Sequence, residues 1–516
     1  HWVPSVHINN TDGLIIKDYI AATSGPVARI NGGEYTEVDA PFMAAFSSRG
    51  PNRLSADIIK PDITAPGVNI LAGASPFPYG GVVQGQLFQS ISGTSMSSPQ
   101  VAGIFALLKQ AHPDWTAAIA KSALMTTAYQ EVNKEDNATP ADPFDMGSGH
   151  VNPGGKANKG SVFEPGLAYD AGLFEYAAFT CGADLGVFTA GTCAFLESIG
   201  VPTDPSDLNL ASIGVAELIG SQTVTRTVTS VANDQGWRDY NVEVDAPPGY
   251  SVSVSPSSLR LKRGMSASYQ VTITNESAAA GDWVFGSLTW CDVTGHYSVR
   301  SPIAVRGGPF GAPEEVQGSG ESGSAAFDVI FGYTGSYTAA PHGLTADAPT
   351  SGDIGQDPDQ TYPSGDDTPV GVQKIDFPIS GAAFVRWSMV IPGDDDLDLF
   401  LEDSSGNIIA SSTSGGTDEL IELTLPADDT YTMVVHGWSV PNEPLPYTLH
   451  FWEVPLVAGG GSLSVDSAPA SAITGTTGTV GVSWSGLVGG TTYLGAVSHT
   501  GDAGLLGLTL VEVENP

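Results

Sequence analysis

The chain has 516 residues, a formal net charge of −37, 63 glycines and 36 prolines. Such a length corresponds to about three or four domains, and the Gly and Pro content indicates a loop-rich protein that leans toward β structure. The charge is uneven, because residues 307–516 alone carry −26. An acidic surface repels nucleic acid and anionic membranes, and no stretch reaches the roughly 18 apolar residues of a membrane helix. We therefore expect no nucleic-acid partner and no membrane span.

The first residues have the features of neither an initiator nor a leader peptide. Residue 1 is histidine, and no basic segment followed by an apolar run comes after it. We expect the sequence to begin within a longer protein. Residues 1–32 alternate short apolar runs with the turn signal NNTDG, which predicts a strand–turn–helix unit.

Residues 33–170 predict alternating strands and helices. Residues 42–52 are predicted to form a strand running into a turn, and residues 60–68 a second strand broken by prolines. An apolar helix is predicted over 97–111, with Pro99 in its first turn, where proline is tolerated. A second helix is predicted over 114–127. Its inward-facing residues are expected to be Ala123, Leu124 and Met125.

The run GTSMSSPQVAG, residues 93–103, contains the strongest candidate for chemistry. It places Ser95 between small residues at the start of an apolar helix. Backbone N–H groups at a helix N-terminus favour a developing negative charge, as acyl transfer requires. Taken alone, Ser95 is better explained as a helix N-cap, and the flanking residues are what favour a catalytic role.

The run resembles the nucleophile segment of the subtilisin-like serine proteases (subtilases). FDMGSGHVNP at 144–153 is similar to that family's closing segment, and PGLAYD at 165–170 is typical of its plant-type members. The resemblance implies a secreted endopeptidase acting on protein or peptide substrates, with Ser95 as nucleophile. The Ser95 N–H is then one oxyanion donor, Thr94 assists, and an asparagine side chain is the second donor.

The partner residues of such a site are missing from this sequence. Subtilases carry their residues in the order Asp, His, Asn, Ser, and nothing before Ser95 is similar to the three earlier segments. His1 and His7 lack the context, while His342 and His436 follow the serine. We expect the catalytic Asp and His to lie in an upstream half of the protease, which makes this chain alone inactive. The alternative is a non-catalytic extracellular adhesive or structural module.

The resemblance and the composition together predict a multidomain chain: the C-terminal half of an α/β catalytic domain followed by β-sandwiches. The predicted parts are the tail of an inserted protease-associated domain (1–32), the C-terminal part of the catalytic domain (33–170), a connector (171–206), a fibronectin-III-like β-sandwich (207–306), a linker (307–325), a C-terminal pre-peptidase-like β-sandwich (326–455) and a terminal β-rich segment (456–516).

Two further sets of residues suggest structural roles. Cys181 and Cys193 flank a short Gly-rich stretch, which predicts a disulfide and an oxidising compartment; two buried thiols are the alternative. Asp394, Asp396 and Asp398 form an acidic turn before a predicted strand. Clustered carboxylates suit Ca²⁺, but the spacing fits no EF-hand loop, so a solvated charge cluster is the favoured interpretation.

Overall fold

The computed structural model describes residues 8, 10–30, 40–75, 87–154, 159–183, 185–363, 370–391, 395–413, 418–459 and 461–516. The chain forms two compact units. The helical unit comprises His1–Gly50 and Lys60–Glu164, and the β unit comprises Pro51–Ile59 and Pro165–Pro516. Within the described ranges, no helix combines the length and apolar character needed to cross a membrane.

The helical unit has one strand hairpin and four helices among its described residues. They are α1 (Asn10–Ala22), β1 (Ile70–Gly73), β2 (Phe88–Ile91), α2 (Thr94–Ala111), α3 (Ala117–Thr126) and α4 (Pro143–Met146). The hairpin strands β1 and β2 pair antiparallel. This small sheet does not establish the predicted half of an α/β domain, which stays a prediction.

The strands predicted at residues 42–52 and 60–68 are wrong. The structure has only isolated bridges there, between Phe42 and Asn133 and between Thr64 and His150. Prolines at positions 41, 51, 61 and 66 lack the N–H group that a strand ladder needs. These segments therefore run as extended loops.

The two longer helices after the hairpin differ in burial. α3 begins at the N-cap Thr116, whose hydroxyl accepts a hydrogen bond from the Ile119 N–H at 3.0 Å. The residues of α3 predicted to face inward are confirmed as buried, each at most 2% exposed. α2 is also apolar, yet Leu108 is its one buried residue and Leu107 is 53% exposed. The described part of the helical unit thus covers little of α2.

The β unit opens with a first sandwich. Its elements are β3 (Leu167–Tyr169), α5 (Leu173–Gly182), α6 (Ala190–Ser198), a 3₁₀ turn (Pro205–Asp207), β4 (Ile213–Leu218), β5 (Ser221–Ser230), β6 (Arg238–Asp245), β7 (Tyr250–Ser255), β8 (Ser258–Leu261), β9 (Ser266–Asn275), β10 (Trp283–Asp292) and β11 (Ser298–Gly307). The strand orders are β4-β11-β10-β6-β8 and β3-β5-β9-β7. The Tyr169 hydroxyl links the two sheets, at 2.7 Å from the Tyr269 hydroxyl and 2.9 Å from that of Ser301.

A disulfide ties α5 to α6 ahead of this sandwich. Cys181 and Cys193 have an S–S distance of 2.02 Å, with their Cα atoms 5.7 Å apart. The bridge thus joins two helices, whereas a closed surface loop was expected from the Gly-rich spacing.

The rest of the β unit is built from seventeen strands among the described residues. They are β12 (Phe310–Gly311), β13 (Glu315–Ser319), β14 (Gly323–Phe331), β15 (Gly335–Ala346), β16 (Thr350–Ile354), β17 (Val372–Ile379), β18 (Ala382–Val390), β19 (Asp396–Glu402), β20 (Ile408–Ser412), β21 (Asp418–Thr424), β22 (Asp429–Ser439), β23 (Leu445–Pro455), β24 (Leu463–Ser467), β25 (Ser471–Ala472), β26 (Thr477–Trp484), β27 (Thr491–Gly501) and β28 (Gly504–Asn515).

These strands form one sandwich inserted into another. The outer sandwich has the sheets β12-β14-β26-β24 and β13-β28-β27-β15-β25. The inserted sandwich, made of β16 to β23, has the sheets β16-β23-β18-β21 and β17-β22-β19-β20. The outer sandwich therefore closes only by pairing strands on both sides of the insertion, such as β13 with β28.

The predicted linker at 307–325 and the boundaries at 326–455 and 456–516 are therefore wrong. Residues 307–325 contain β12, β13 and the start of β14, and the strands of 456–516 pair with those before residue 347. Gly, Ser and Glu gave this stretch the composition of a linker. Its partner strand β28 lies almost two hundred residues away in sequence, beyond the reach of a local pattern.

The outer and inserted sandwiches meet across an apolar contact and a charged cluster. The apolar part consists of Ala383, Phe384, Trp452 and Val454 from the inserted sandwich with Leu494, Ala496 and Leu510 from the outer one. Beside it, the Arg386 guanidinium binds the carboxylates of Glu315, Glu422 and Glu512 at 2.6, 2.6 and 2.8 Å. Glu315 and Glu512 belong to the outer sandwich, so Arg386 joins the two.

We expect Arg386→Met to lower the free energy of unfolding of the β unit by about 2–4 kcal/mol, because it leaves three carboxylates facing one another without their cation. Urea unfolding followed by tryptophan fluorescence measures the change. Arg260→Met, at an arginine whose side chain is 68% exposed, is the matched control. Unchanged stability of the Arg386 variant would show that the cluster does not hold the sandwiches together.

A second buried charged group lies inside the inserted sandwich. His436 Nδ1 is 3.0 Å from Asp398 Oδ2, and His436 Nε2 is 3.1 Å from Asp357 Oδ2. Both ring nitrogens can donate to carboxylates only when the imidazole is protonated. Burial alone would lower the pKa of His436, but Asp398 and Asp357 outweigh it and raise that pKa above its ordinary value of 6.5.

A raised histidine pKa gives stability that is fully present below the ordinary value and is lost as the pH rises through the folded-state value. We therefore expect the free energy of unfolding of the chain to fall over the pH range above the ordinary histidine value of 6.5, and to fall less in His436→Gln. Urea unfolding across that range tests this. The exposed His296, changed to Gln, serves as control; equal slopes in wild type and His436→Gln would contradict the prediction.

Candidate active site

The predicted nucleophile lies in the first turn of α2. Ser95 and Thr94 are both exposed, and Gly93 precedes them as the N-cap with an extended backbone. The first N–H groups of a helix have no acceptor within it, so they point outward as donors. An oxyanion formed on Ser95 would meet such donors and the positive end of the helix dipole.

A loop of three residues holds this turn in place. The Gly93 N–H donates to the Gly67 carbonyl at 2.8 Å, and the Ser97 hydroxyl donates to the Ala65 carbonyl at 2.9 Å. The Gln100 side chain donates to the carbonyl of the residue between, Pro66, at 2.6 Å. Three successive carbonyls thus bind the first two turns of α2. We call residues 65–67 the clamp loop.

Gly67 is required by the closeness of this contact. A Cβ built on Gly67 would lie 2.3 Å from Ser97 Oγ and 3.0 Å from the Gly93 carbonyl oxygen. Both distances are shorter than a carbon atom tolerates without displacement of its neighbours. Any larger residue would push the clamp loop away from the turn that carries Ser95.

The closing segment predicted at 144–153 packs directly before the clamp loop. The Thr64 N–H donates to the Gly149 carbonyl at 2.9 Å, and the Val151 N–H donates to the Thr64 carbonyl at 2.8 Å. Gly147 has φ +63°, and a Cβ there would lie 2.3 Å from the Pro61 carbonyl oxygen. The structure therefore brings together the run 93–103, the segment 60–68 and the closing segment 144–153.

Asp62 forms two ion pairs beside these segments. Its carboxylate is 2.7 Å from Lys60 Nζ and 2.7 Å from Lys121 Nζ. Burial alone would raise the pKa of Asp62, but Lys121 and Lys60 outweigh it and hold that pKa below its ordinary value. The carboxylate stays ionised, and it ties α3 to the segment that leads into the clamp loop.

The described part of the helical unit contains two histidines, and neither is bonded to Ser95. His112 follows the end of α2, with Nε2 2.8 Å from the Phe163 carbonyl oxygen. Seventeen residues of helix separate it from Ser95, which corresponds to about 25 Å. His150 Nδ1 is 3.2 Å from the Thr64 hydroxyl oxygen, and burial lowers the pKa of His150. His1 and His7 lie outside the described residues.

The sequence motif assigns a role to Thr94 but none to Gln100. Thr94, expected to support the oxyanion, is the first residue of α2 and is exposed. Gln100, to which the motif assigns no role, lies in the second turn of α2 and donates to the Pro66 carbonyl. Its hydrogen bond to Pro66 makes it part of the clamp, together with Ser97 and Gly67, which were also missed. The only signal for these residues was their nearness in sequence to Ser95 and to the proline-rich segment.

The acidic turn considered for calcium is divided by the structure. Asp394 lies outside the described residues, Asp396 begins β19, and the Asp398 carboxylate is engaged with His436. Across the described ranges, no group of three or more His, Cys, Asp or Glu side chains is arranged to hold a metal ion. Calcium binding stays a prediction.

We expect Gly67→Ala to lower the stability of the helical unit by about 1–3 kcal/mol, because the added methyl group displaces the clamp loop or α2. Thermal unfolding measures this. Gly73→Ala is the matched control, since a Cβ at Gly73 meets nothing within 4 Å. Adding Ser97→Ala to Gly67→Ala should recover part of the loss. A Gly67 variant as stable as the Gly73 variant would contradict the packing argument.

Comparisons with known proteins agree with the motifs. Residues 28–149 match the model of the subtilase family, and residues 207–305 match the fibronectin type-III domain. The CO(2)-response secreted protease of Arabidopsis thaliana is 37% identical over 322 residues, which are 58% of this chain and 41% of that protein. Subtilisin-like protease SBT3.16 of the same plant is 40% identical over 315 residues, 58% of this chain and 39% of its own length. The chain thus spans about two fifths of the length of these relatives.

Solved structures add little to this. The pre-peptidase C-terminal domain of collagenase from Bacillus anthracis is 14% identical, with a TM-score of 0.16, and covers 20% of this chain and 89% of that chain. The secreted serine protease VesC from Vibrio cholerae is 10% identical, with a TM-score of 0.16, and covers 47% of this chain and 49% of that chain. Both scores are too low for either likeness to carry an argument.

The Ser95 turn, its clamp loop and the closing segment up to Gly149 all fall within the residues that match the family model. With 37% and 40% identity to plant subtilisin-like proteases added to that match, the resemblance of this chain to the subtilases is confirmed, and residues 207–305 are similar to a fibronectin type-III domain.

Proposed function

We propose that the chain is the nucleophile-bearing part of a secreted serine endopeptidase that cleaves peptide bonds through an acyl-enzyme on Ser95. The observation that carries the proposal is the position of Ser95, exposed in the first turn of α2 and held there by the clamp loop. A rigid nucleophile at a helix N-terminus is the arrangement that acyl transfer requires.

The reaction needs a base, and the proposal assigns it to a segment beyond these 516 residues. A histidine oriented by an aspartate takes the proton from Ser95 Oγ as it attacks the peptide carbonyl, then gives it to the leaving amine. The Ser95 N–H binds the oxyanion, with Thr94 beside it and an asparagine side chain from the same additional segment. Water then releases the acyl group by the same route in reverse.

The exposure of α2 supports this division of the site. An apolar helix ordinarily faces a core, yet Leu107 is 53% exposed and Leu108 alone is buried in α2. The segment that brings the aspartate, histidine and asparagine would cover this helix. The proposal also takes residues 33–170 as the C-terminal part of the catalytic domain and residues 1–32 as the tail of an inserted domain.

Two observations support secretion. The Cys181–Cys193 disulfide is a bond that persists in oxidising compartments. One relative, the CO(2)-response secreted protease, is secreted by its name. The acidic β unit suits such a location, since a high net charge keeps a protein soluble.

The test compares the purified 516-residue chain with the longer protein that contains it. We expect the longer protein to digest casein and to react with a fluorophosphonate at Ser95, as located by mass spectrometry. Ser95→Ala should reduce casein hydrolysis by at least about a thousandfold, since the reaction loses its nucleophile. The chain alone should show no casein hydrolysis that depends on Ser95, because it lacks the base.

Ser98→Ala is the matched control, because Ser98 is also exposed and lies three residues after Ser95 in α2. This variant should leave casein hydrolysis unchanged. Casein hydrolysis by the longer protein that survives Ser95→Ala would overturn the assignment of the nucleophile. Ser95-dependent hydrolysis by the 516-residue chain alone would overturn the division of the site.

A further inference from the structure

A cavity of about 460 Å³ lies in the β unit, where the outer sandwich faces the inserted one. It adjoins the apolar contact between the two sandwiches, and Trp452 belongs to both. Its walls also include Asp347, Ser388 and His450, which bring an acid, a hydroxyl and an imidazole to one solvent-open cleft. No step of the proposed peptidase reaction uses these three residues.

The acid and the imidazole are already joined. His450 Nδ1 is 2.5 Å from Asp347 Oδ2, and the Asp347 side chain is only 10% exposed. A carboxylate at Nδ1 fixes the tautomer that carries its proton on that nitrogen, which leaves the lone pair on Nε2. The His450 ring also stacks on Trp452, with centroids 5.9 Å apart. His450 is therefore oriented as a base.

Ser388 and His450 are cross-strand partners. β18 and β23 are antiparallel neighbours, and their register pairs Ser388 with His450. Directly opposed residues on one face of a sheet have Cβ atoms about 4.5–5.5 Å apart. A nucleophile and its base are often looser than hydrogen-bond distance before substrate binds. The strand pairing thus places Ser388 next to His450 among the residues that line the cavity.

The charges around the cavity favour a cationic substrate. Arg386, two residues before Ser388, is surrounded by Glu315, Glu422 and Glu512, so the cluster keeps a net negative charge. Asp347 adds to it. Burial and the nearby Glu315 raise the pKa of Glu512, as expected where carboxylates are crowded. A guanidinium or ammonium group entering the cavity would be attracted, while an anion would be repelled.

We propose that Ser388, His450 and Asp347 form a second acyl-transfer site, separate from Ser95, which hydrolyses esters whose acyl group carries a cation. His450 Nε2 takes the proton of Ser388 Oγ while the oxygen bonds to the ester carbonyl carbon. The bond from that carbon to the alcohol oxygen then breaks, and the alcohol leaves with the proton from His450. Water, deprotonated by His450, releases the acid and restores Ser388. The Gln317 amide, which also lines the cavity, offers N–H donors to the oxyanion.

The test uses the 516-residue chain with Ser95→Ala, which removes the other nucleophile. 4-Nitrophenyl 4-guanidinobenzoate is the probe, because its acyl group is cationic and its phenol is coloured. We expect a burst of nitrophenol approaching one per chain, with the acyl group found on Ser388 by mass spectrometry. The uncharged 4-nitrophenyl acetate should react at least about tenfold more slowly, since it lacks the attraction of the carboxylates.

Variants separate this site from incidental acylation. In the Ser95→Ala background, Ser388→Ala and His450→Gln should abolish the burst, and Asp347→Asn should slow it at least about tenfold through loss of the correct tautomer. Ser351→Ala, on the neighbouring strand β16, is the control and should leave the burst unchanged. Thermal unfolding checks that each variant is folded.

Two results would overturn the proposal, and neither depends on how the Ser388 variant folds. One is the absence of a burst in the folded Ser95→Ala chain. The other is acylation of that chain at a residue other than Ser388. A burst of the same size and rate in a folded Asp347→Asn variant would also overturn the role of His450 as an oriented base. None of these outcomes bears on casein hydrolysis by Ser95.

Discussion

The contact between the clamp loop and the first turns of α2 is the constraint on which the candidate active site depends. The carbonyls of Ala65, Pro66 and Gly67 each accept a hydrogen bond from α2 or its N-cap. The N–H groups at the start of a helix have no acceptors within the helix, and the carbonyls of a proline-rich loop have no donors from a strand ladder. The helix start and the loop therefore supply each other's hydrogen-bond partners. Because three bonds act in parallel, the loop and the helix start can move only together, and the position of Ser95 follows from theirs.

Much of the local structure could be predicted from the sequence. The body of α2, the inward face of α3 and the alternating burial along β5 all follow from patterns within about ten residues. The start of α2 does not, because the helix was predicted from Ser97 and begins at Thr94. The sequence patterns gave wrong predictions where hydrogen bonding between strands decides the structure. Residues 60–68 have the apolar content of a strand, but their prolines break the ladder. Residues 307–325 have the composition of a linker, but the distant β28 turns part of them into a strand.

The candidate sites divide in the same way. Ser95 is proposed as the nucleophile from its side chain and its neighbours in sequence. The clamp loop acts through backbone carbonyls, which carry no signature in a list of residue types. Ser388 and His450 are 62 positions apart and meet only through the register of β18 with β23. A local sequence motif cannot reveal two residues that meet only through strand pairing.

The insertion of one sandwich into another sets an order of assembly. β16 to β23 form both sheets of the inserted sandwich without any strand from outside. In the outer sandwich, β13 pairs with β28 and β15 pairs with β27, so these pairs form only after the last strands are made. During synthesis on the ribosome, the chain can complete the inserted sandwich while the outer one still has unpaired edges. The inserted sandwich then serves as a folded spacer that holds the two halves of its host close together, which shortens the search that the last strands must make.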